Sequence, residues 1–147
     1  MRRAGMTVME LLIVIAVAGV LLTIGSVLVT RLQRALEFRA VVTTLNADLS
    51  SARARARLGT TTWRVRSNGS SAYEVGRWNG AWQDRRVVNL PSGVKFTKEA
   101  DVSFDAPHGL ARATGTRGTW FALSGPDGRT ADVKVVGLGG KVVTRAD

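Results

Sequence analysis

Between Leu11 and Val29 the chain carries 19 residues without a charge or a proline, LLIVIAVAGVLLTIGSVLV. As a helix rising about 1.5 Å per residue, this run reaches roughly 28 Å, enough to cross the hydrocarbon core of a bilayer. No other feature constrains the fold as strongly, because so apolar a segment has to be placed in lipid or inside an assembly. Glu10 stands immediately before it, and a carboxylate at the head of such a segment is costly in lipid unless it is paired. Arg2 and Arg3 precede the run, while Arg31, Arg34 and Arg39 follow it, so positive charge alone does not fix the orientation.

The helical pattern continues past the apolar run. Phe38, Val42, Leu45, Leu49, Ala52 and Ala56 are spaced 4, 3, 4, 3, 4, which is one stripe of a helix. Leu32 and Leu36 are expected to carry the stripe backward. No proline occurs between Met1 and Leu90. Arg55 and Arg57 followed by Gly59 form a stop signal, so one helix is predicted from about Thr7 to Leu58. Gly25-Ser26 is a candidate weak point, since glycine costs about 1 kcal/mol in a helix interior.

After Gly59 the periodicity changes to two. Strands are expected over Thr62 to Arg66, Ala72 to Trp78, within Ala81 to Leu90, and over Val94 to Lys98 and Val102 to Phe104. Asp105 to Gly118 reads as loop. Thr119 to Leu123, Asp132 to Val136 and Lys141 to Thr144 complete the set. Asn79-Gly80 marks a hairpin, because both residues tolerate positive φ. In the first strand Trp63 and Val65 share one face, and Arg64 and Arg66 the other. The expected fold class is α+β: a long helix with an apolar membrane half, its second half packed on an antiparallel sheet domain.

With 147 residues and one apolar span, the rest suffices for a single small domain. There is no cysteine, hence no disulfide and no thiolate metal site. Lysine and arginine number 21 against 11 acidic residues, a net charge of +10. Such a balance attracts DNA, acidic lipid or acidic protein, or is simply a solvated basic surface.

The stretch Gly5-Met6-Thr7-Val8-Met9-Glu10, a basic leader before it and the apolar run after it, resembles the leader of type IV pilins and type II secretion pseudopilins. LNADLSSARARARLGTTTWRV and WFALSGPDGRTADVKVVGLGGKVVTR are similar to the helix end, first strand and closing strands of the GspH/FimT family of minor pilins and pseudopilins. The resemblance covers most of the chain. It implies a leader of residues 1–5, cut by a prepilin peptidase between Gly5 and Met6. Met6 would then be N-methylated, and Glu10 would pair with a terminal amine to set subunit register. It further implies a transmembrane and filament-core segment 6–30 and a domain 31–147, periplasmic or extracellular, on a single-pass inner-membrane anchor. The partners would be other pilin or pseudopilin subunits, and the work filament assembly and protein secretion. The proline usual late in the apolar half is absent here. An ordinary signal peptide cut near Ala16-Val17-Ala18, or a plain anchor, would explain the apolar run but not Gly5 with Glu10.

Family members that assist DNA uptake carry Gly-Arg-any-Arg near the last strand. This chain has Gly140-Lys141-Val142-Val143-Thr144-Arg145, with Lys in the first position and two extra residues between the basic positions. Lys141 and Arg145, together with Arg64, Arg66, Arg85 and Arg86, are therefore the candidate DNA track. Arg53, Arg55 and Arg57 are read as charge compensation and solvation at the helix end in preference to phosphate contacts. Trp63, Trp78, Trp82 and Trp120 are either sheet-face residues or stacking platforms. His108 lacks neighbours for a metal site, and no catalytic constellation, metal site or cofactor motif is evident, so no enzyme is expected.

Overall fold

The computed structural model describes residues 8–146, apart from the side chains at positions 24, 25 and 27. Gly5 and Met6, the expected cleavage site, lie outside the described residues. A single helix, α1 (Val8–Leu58), runs for 51 residues, about 77 Å at 1.5 Å per residue. It passes Gly25-Ser26 without a break. There the Thr23 hydroxyl donates to the Gly19 carbonyl and the Ser26 hydroxyl to that of Thr23, both at 2.8 Å. At its end Arg55 and Arg57 lie in the last turn. A Cβ at position 59 would stand 3.1 Å from the Arg55 carbonyl oxygen, so Gly59 lets the chain turn away where a larger residue would crowd the helix.

The two halves of α1 have opposite surroundings. The apolar window in the first half is wholly exposed, long and apolar enough to cross a membrane. In the second half Phe38, Val42, Leu45, Leu49, Ala52 and Ala56 are all buried, as the spacing predicts. Burial of a leucine such as Leu45 or Leu49 stabilises by about 2 kcal/mol each. Leu32 and Leu36 depart from the expectation, being exposed, whereas Ala35 and Val41 are buried. The reason is angular: Leu36 lies about 200° round the helix from Phe38, and Ala35 only about 60°.

Among the described residues nine strands follow: β1 (Thr62–Asn68), β2 (Ala72–Trp78), β3 (Trp82–Asn89), β4 (Lys95–Lys98), β5 (Asp101–Asp105), β6 (Leu110–Ala113), β7 (Trp120–Ser124), β8 (Thr130–Val136) and β9 (Lys141–Ala146). They form two antiparallel sheets, one ordered β3-β2-β1-β5-β6 and the other β4-β7-β8-β9. Strand β6 corrects the expectation of a loop over Asp105 to Gly118: Leu110–Ala113 pairs in register with Val102–Asp105. Its sequence, LARA, holds one leucine, two alanines and one arginine, so it gives too little hydrophobic alternation to read. Strands β1 and β9 also run two residues further than predicted.

Both sheets turn one face to α1 and close a common core. Val65, Tyr73, Val75, Val102 and Phe104 come from the first sheet, and Phe96, Phe121, Leu123, Val133 and Val135 from the second. Backbone bonds tie the sheets together, from the Phe96 amide to the Ser70 carbonyl at 2.8 Å and from the Ala111 amide to the Leu138 carbonyl at 3.0 Å. The result is the α+β, pilin-like architecture expected of the sequence: one long helix with an antiparallel sheet domain on its second half.

Candidate functional site

The outer face of the first sheet, away from α1, gathers Arg64 and Arg66 of β1. It is built from β1's register, which sets Arg66 opposite Glu74 on β2 and opposite Asp101 on β5. Arg64 is buried and donates to both Asp101 carboxylate oxygens, at 2.7 and 2.5 Å. Its guanidinium also lies 4.1 Å from the ring centre of Trp78, and Trp78 meets Trp82 edge-on at 5.3 Å. The buried Glu74 accepts from Arg66 at 2.8 Å, from Asn68 at 3.0 Å and from Arg85 at 3.2 Å. This face is a closed polar network, with its cations turned toward the protein's own carboxylates.

Arg86 points the other way. It sits opposite Val75, on the side facing α1, and pairs with Asp48 of the helix. Tyr73 donates to the same carboxylate at 2.7 Å. Burial, reinforced by Asp48, pushes the Tyr73 phenol well above its ordinary pKa, with Arg86 opposing. Consecutive strand residues project to opposite faces, so Arg85 and Arg86 cannot join one track. The arginines at the helix end are likewise engaged: Arg55 lies 4.8 Å from the Trp63 ring centre, and Arg57 donates to the His108 carbonyl at 3.3 Å.

The outer face of the second sheet is arranged differently. Register places Lys134 opposite Trp120 and Val143, Asp132 opposite Arg145, and Val136 opposite Lys141. The Lys98 and Lys134 ammonium groups lie 3.9 and 4.0 Å from the Trp120 ring centre. Across β4, β7, β8 and β9 the basic residues are Lys95, Lys98, Lys134, Lys141 and Arg145, against Asp132 as the acidic one. Lys141 and Arg145 are thus brought together with Lys98, Lys134 and Trp120, not with Arg64, Arg66, Arg85 or Arg86. Sequence reasoning missed Lys98 and Lys134; their period-two positions around an outward Trp120 were the available signal. The Trp120 face already meets two ammonium groups, so a polyanion would encounter charge here before it encountered an open ring.

At the other end of the molecule, Glu10 lies in the first turn of α1, where the helix N-terminus favours a carboxylate. Among the described residues no group of three or more His, Cys, Asp or Glu is placed to hold a metal ion. Comparisons with protein-family models, curated proteins and solved structures find no match to this chain.

Proposed function

We propose that this chain is a membrane-anchored minor pilin or pseudopilin, a subunit of a type IV pilus or type II secretion filament that acts in filament assembly and protein secretion. The observation that carries this reading is the division of α1 into an apolar, wholly exposed first half and a second half buried on the sheet domain. A helix of that kind serves as a bilayer anchor and, once withdrawn, as a strand of a helical filament core. In such a core Glu10 would be desolvated, and pairing with the amine of Met6 on its own or a neighbouring subunit would offset that cost. The partners are then a prepilin peptidase, the inner membrane and other subunits of the filament.

The test is the N-terminus of the full chain when it is produced beside an active prepilin peptidase. The expected product lacks residues 1–5 and carries one methyl group on Met6, and Gly5→Leu prevents both changes. A chain that keeps its first five residues with the peptidase active removes the proposal.

A second reading is favoured by one surface. The basic outer face of the second sheet, around Trp120, suits DNA held through its phosphates, as in a minor pilin for natural transformation. It replaces the track expected from the sequence, because Lys141 and Arg145 keep the company of Lys98 and Lys134.

A further inference from the structure

The base of the domain, where α1 leaves the apolar run, carries a second concentration of positive charge. Arg31, Arg34 and Arg39 are all exposed there. Taking Phe38 and Val42 as the direction of the sheets, Arg31 projects toward the domain side of α1, and Arg34 and Arg39 flank it within about 80°. The turn between β7 and β8 comes down onto the same level: a Cβ on Gly125 would stand 3.0 Å from the Phe38 ring. That turn delivers Arg129, which lines a cleft of about 370 Å³ with Phe38, Arg39, Val42, Thr43 and Ala146. On the opposite side of the turn, a polar cleft of about 460 Å³ is lined by Thr30, Gln33, Arg34, Glu37, Ser92, Gly93 and Pro126.

None of these four arginines is ion-paired within the described residues, although ion pairs are frequent elsewhere in the domain. Glu37 and Asp127 are the nearby carboxylates in sequence, leaving the base positive. With Val29 as the last apolar residue, Arg31 and Arg34 follow about 3 and 7.5 Å further along the helix axis. The headgroup layer is roughly 5–7.5 Å thick on each side, so Arg31 leaves the helix within it and Arg34 at its outer edge. Arginines on the exported end of a span run against the usual charge bias for insertion, so insertion does not account for them.

We propose that this base binds the phosphates of anionic phospholipids, with Arg31 in the headgroup layer, Arg34 at its outer edge, and Arg39 and Arg129 above it, where their charge adds to the attraction. The inference rests on the reading of residues 11–29 as a membrane span with the domain on its exported side, as in the proposed function. Phosphatidylglycerol is the lipid committed to, because the cleft beside Arg34 offers the Gln33 amide and the Ser92 hydroxyl for a small polar headgroup next to a guanidinium for its phosphate. Lipid held here would seat the domain on the bilayer until the helix is withdrawn.

The experiment uses the full chain. Flotation with phosphatidylcholine vesicles at high salt first reports insertion. The chain in nonionic detergent is then given equal amounts of phosphatidylcholine and phosphatidylglycerol with matched acyl chains, and native mass spectrometry counts the lipid retained. Severalfold preference for phosphatidylglycerol is expected. Arg31→Gln/Arg34→Gln/Arg129→Gln should bring the ratio close to one, while Arg55→Gln/Arg57→Gln/Arg112→Gln, the same loss of three charges at a remote place, should leave it unchanged. Flotation without any preference, or a preference that survives the triple substitution or is equally lost in the remote variant, overturns the lipid site alone. Failure to float overturns the span and the lipid site together.

Discussion

The outer faces of the two sheets are both rich in cations, yet they use them in opposite ways. On the first sheet Arg64 and Arg66 are matched to Asp101 and Glu74, carboxylates that are themselves buried. On the second, Asp132 is the acidic residue on strands that carry five basic ones. Net charge counts both faces equally and so cannot tell structural cations from cations presented to a partner. The difference lies in the supply of carboxylates: β2 and β5 bring Glu74 and Asp101 to the first face, whereas Asp132 alone faces the five cations of the second-sheet strands and pairs with Lys134 at 3.8 Å.

The largest expected effect comes from breaking the first face. Asp101→Ala leaves the Arg64 guanidinium buried without a counter-ion, between β5 and the Trp78–Trp82 pair. Removing one partner of a buried pair costs about 3–5 kcal/mol, since the remaining charge keeps its desolvation penalty. The measurement is chemical unfolding of the full chain in detergent, followed by tryptophan fluorescence. A loss under about 1 kcal/mol, the range of exposed pairs, would mean that Arg64 finds water and that the face is not closed.

A smaller effect, on binding and not on folding, is expected from the second face. Lys98→Gln/Lys134→Gln/Lys141→Gln/Arg145→Gln should weaken binding of duplex DNA at low salt. It should also flatten the dependence of log K on log salt by about 0.9 for each phosphate that is no longer neutralised. Substituting Arg85 and Arg66, whose charge is directed at Glu74, should leave that slope alone. If the salt slope followed the first-face arginines instead, the contrast between the faces would be reversed. If no DNA bound at low salt, the DNA-uptake reading would fall and the filament reading would stand without it.

Much of this fold is legible in the sequence because it rests on local periodicity. The 3–4 spacing from Phe38 to Ala56 determines which helix face is buried, and alternation in β1 separates Trp63 and Val65 from Arg64 and Arg66. The two departures arise where hydrophobicity and position disagree. Leu32 and Leu36 are apolar enough for the stripe, but their angle round the helix decides exposure. Strand β6 is invisible because Leu110-Ala111-Arg112-Ala113 alternates only small and polar residues after its first position. The candidate sites are less legible, because their chemistry depends on distant partners. Asp101 stands 37 residues beyond Arg64, and Asp48 lies 25 residues before Tyr73. No short-range pattern shows that one arginine will be neutralised and that Lys98 and Lys134 will converge on Trp120.

The smallest effect belongs to the region between these two faces, where Asp48 on α1 joins Tyr73 and Arg86. Tyr73 is neutral in the fold and its phenol is held well above the ordinary value, first by burial and then by Asp48. In the unfolded chain the phenol ionises near pH 10. A group whose pKa is raised by folding stabilises fully below its unfolded pKa, and that contribution is lost as pH rises toward the folded value. Thermal stability should therefore fall with pH above about 10, where tyrosine titrates in the unfolded chain. Tyr73→Phe should cost about 1 kcal/mol at neutral pH, the worth of one hydrogen bond, and should flatten the decline at alkaline pH. Lysines titrate in the same range, so the informative quantity is the difference between the two proteins' unfolding midpoints from about pH 7 to 11. That difference should shrink as pH rises. A constant difference would show that folding does not raise the phenol's pKa, and that Tyr73 contributes its hydrogen bond to Asp48 without the linkage to pH.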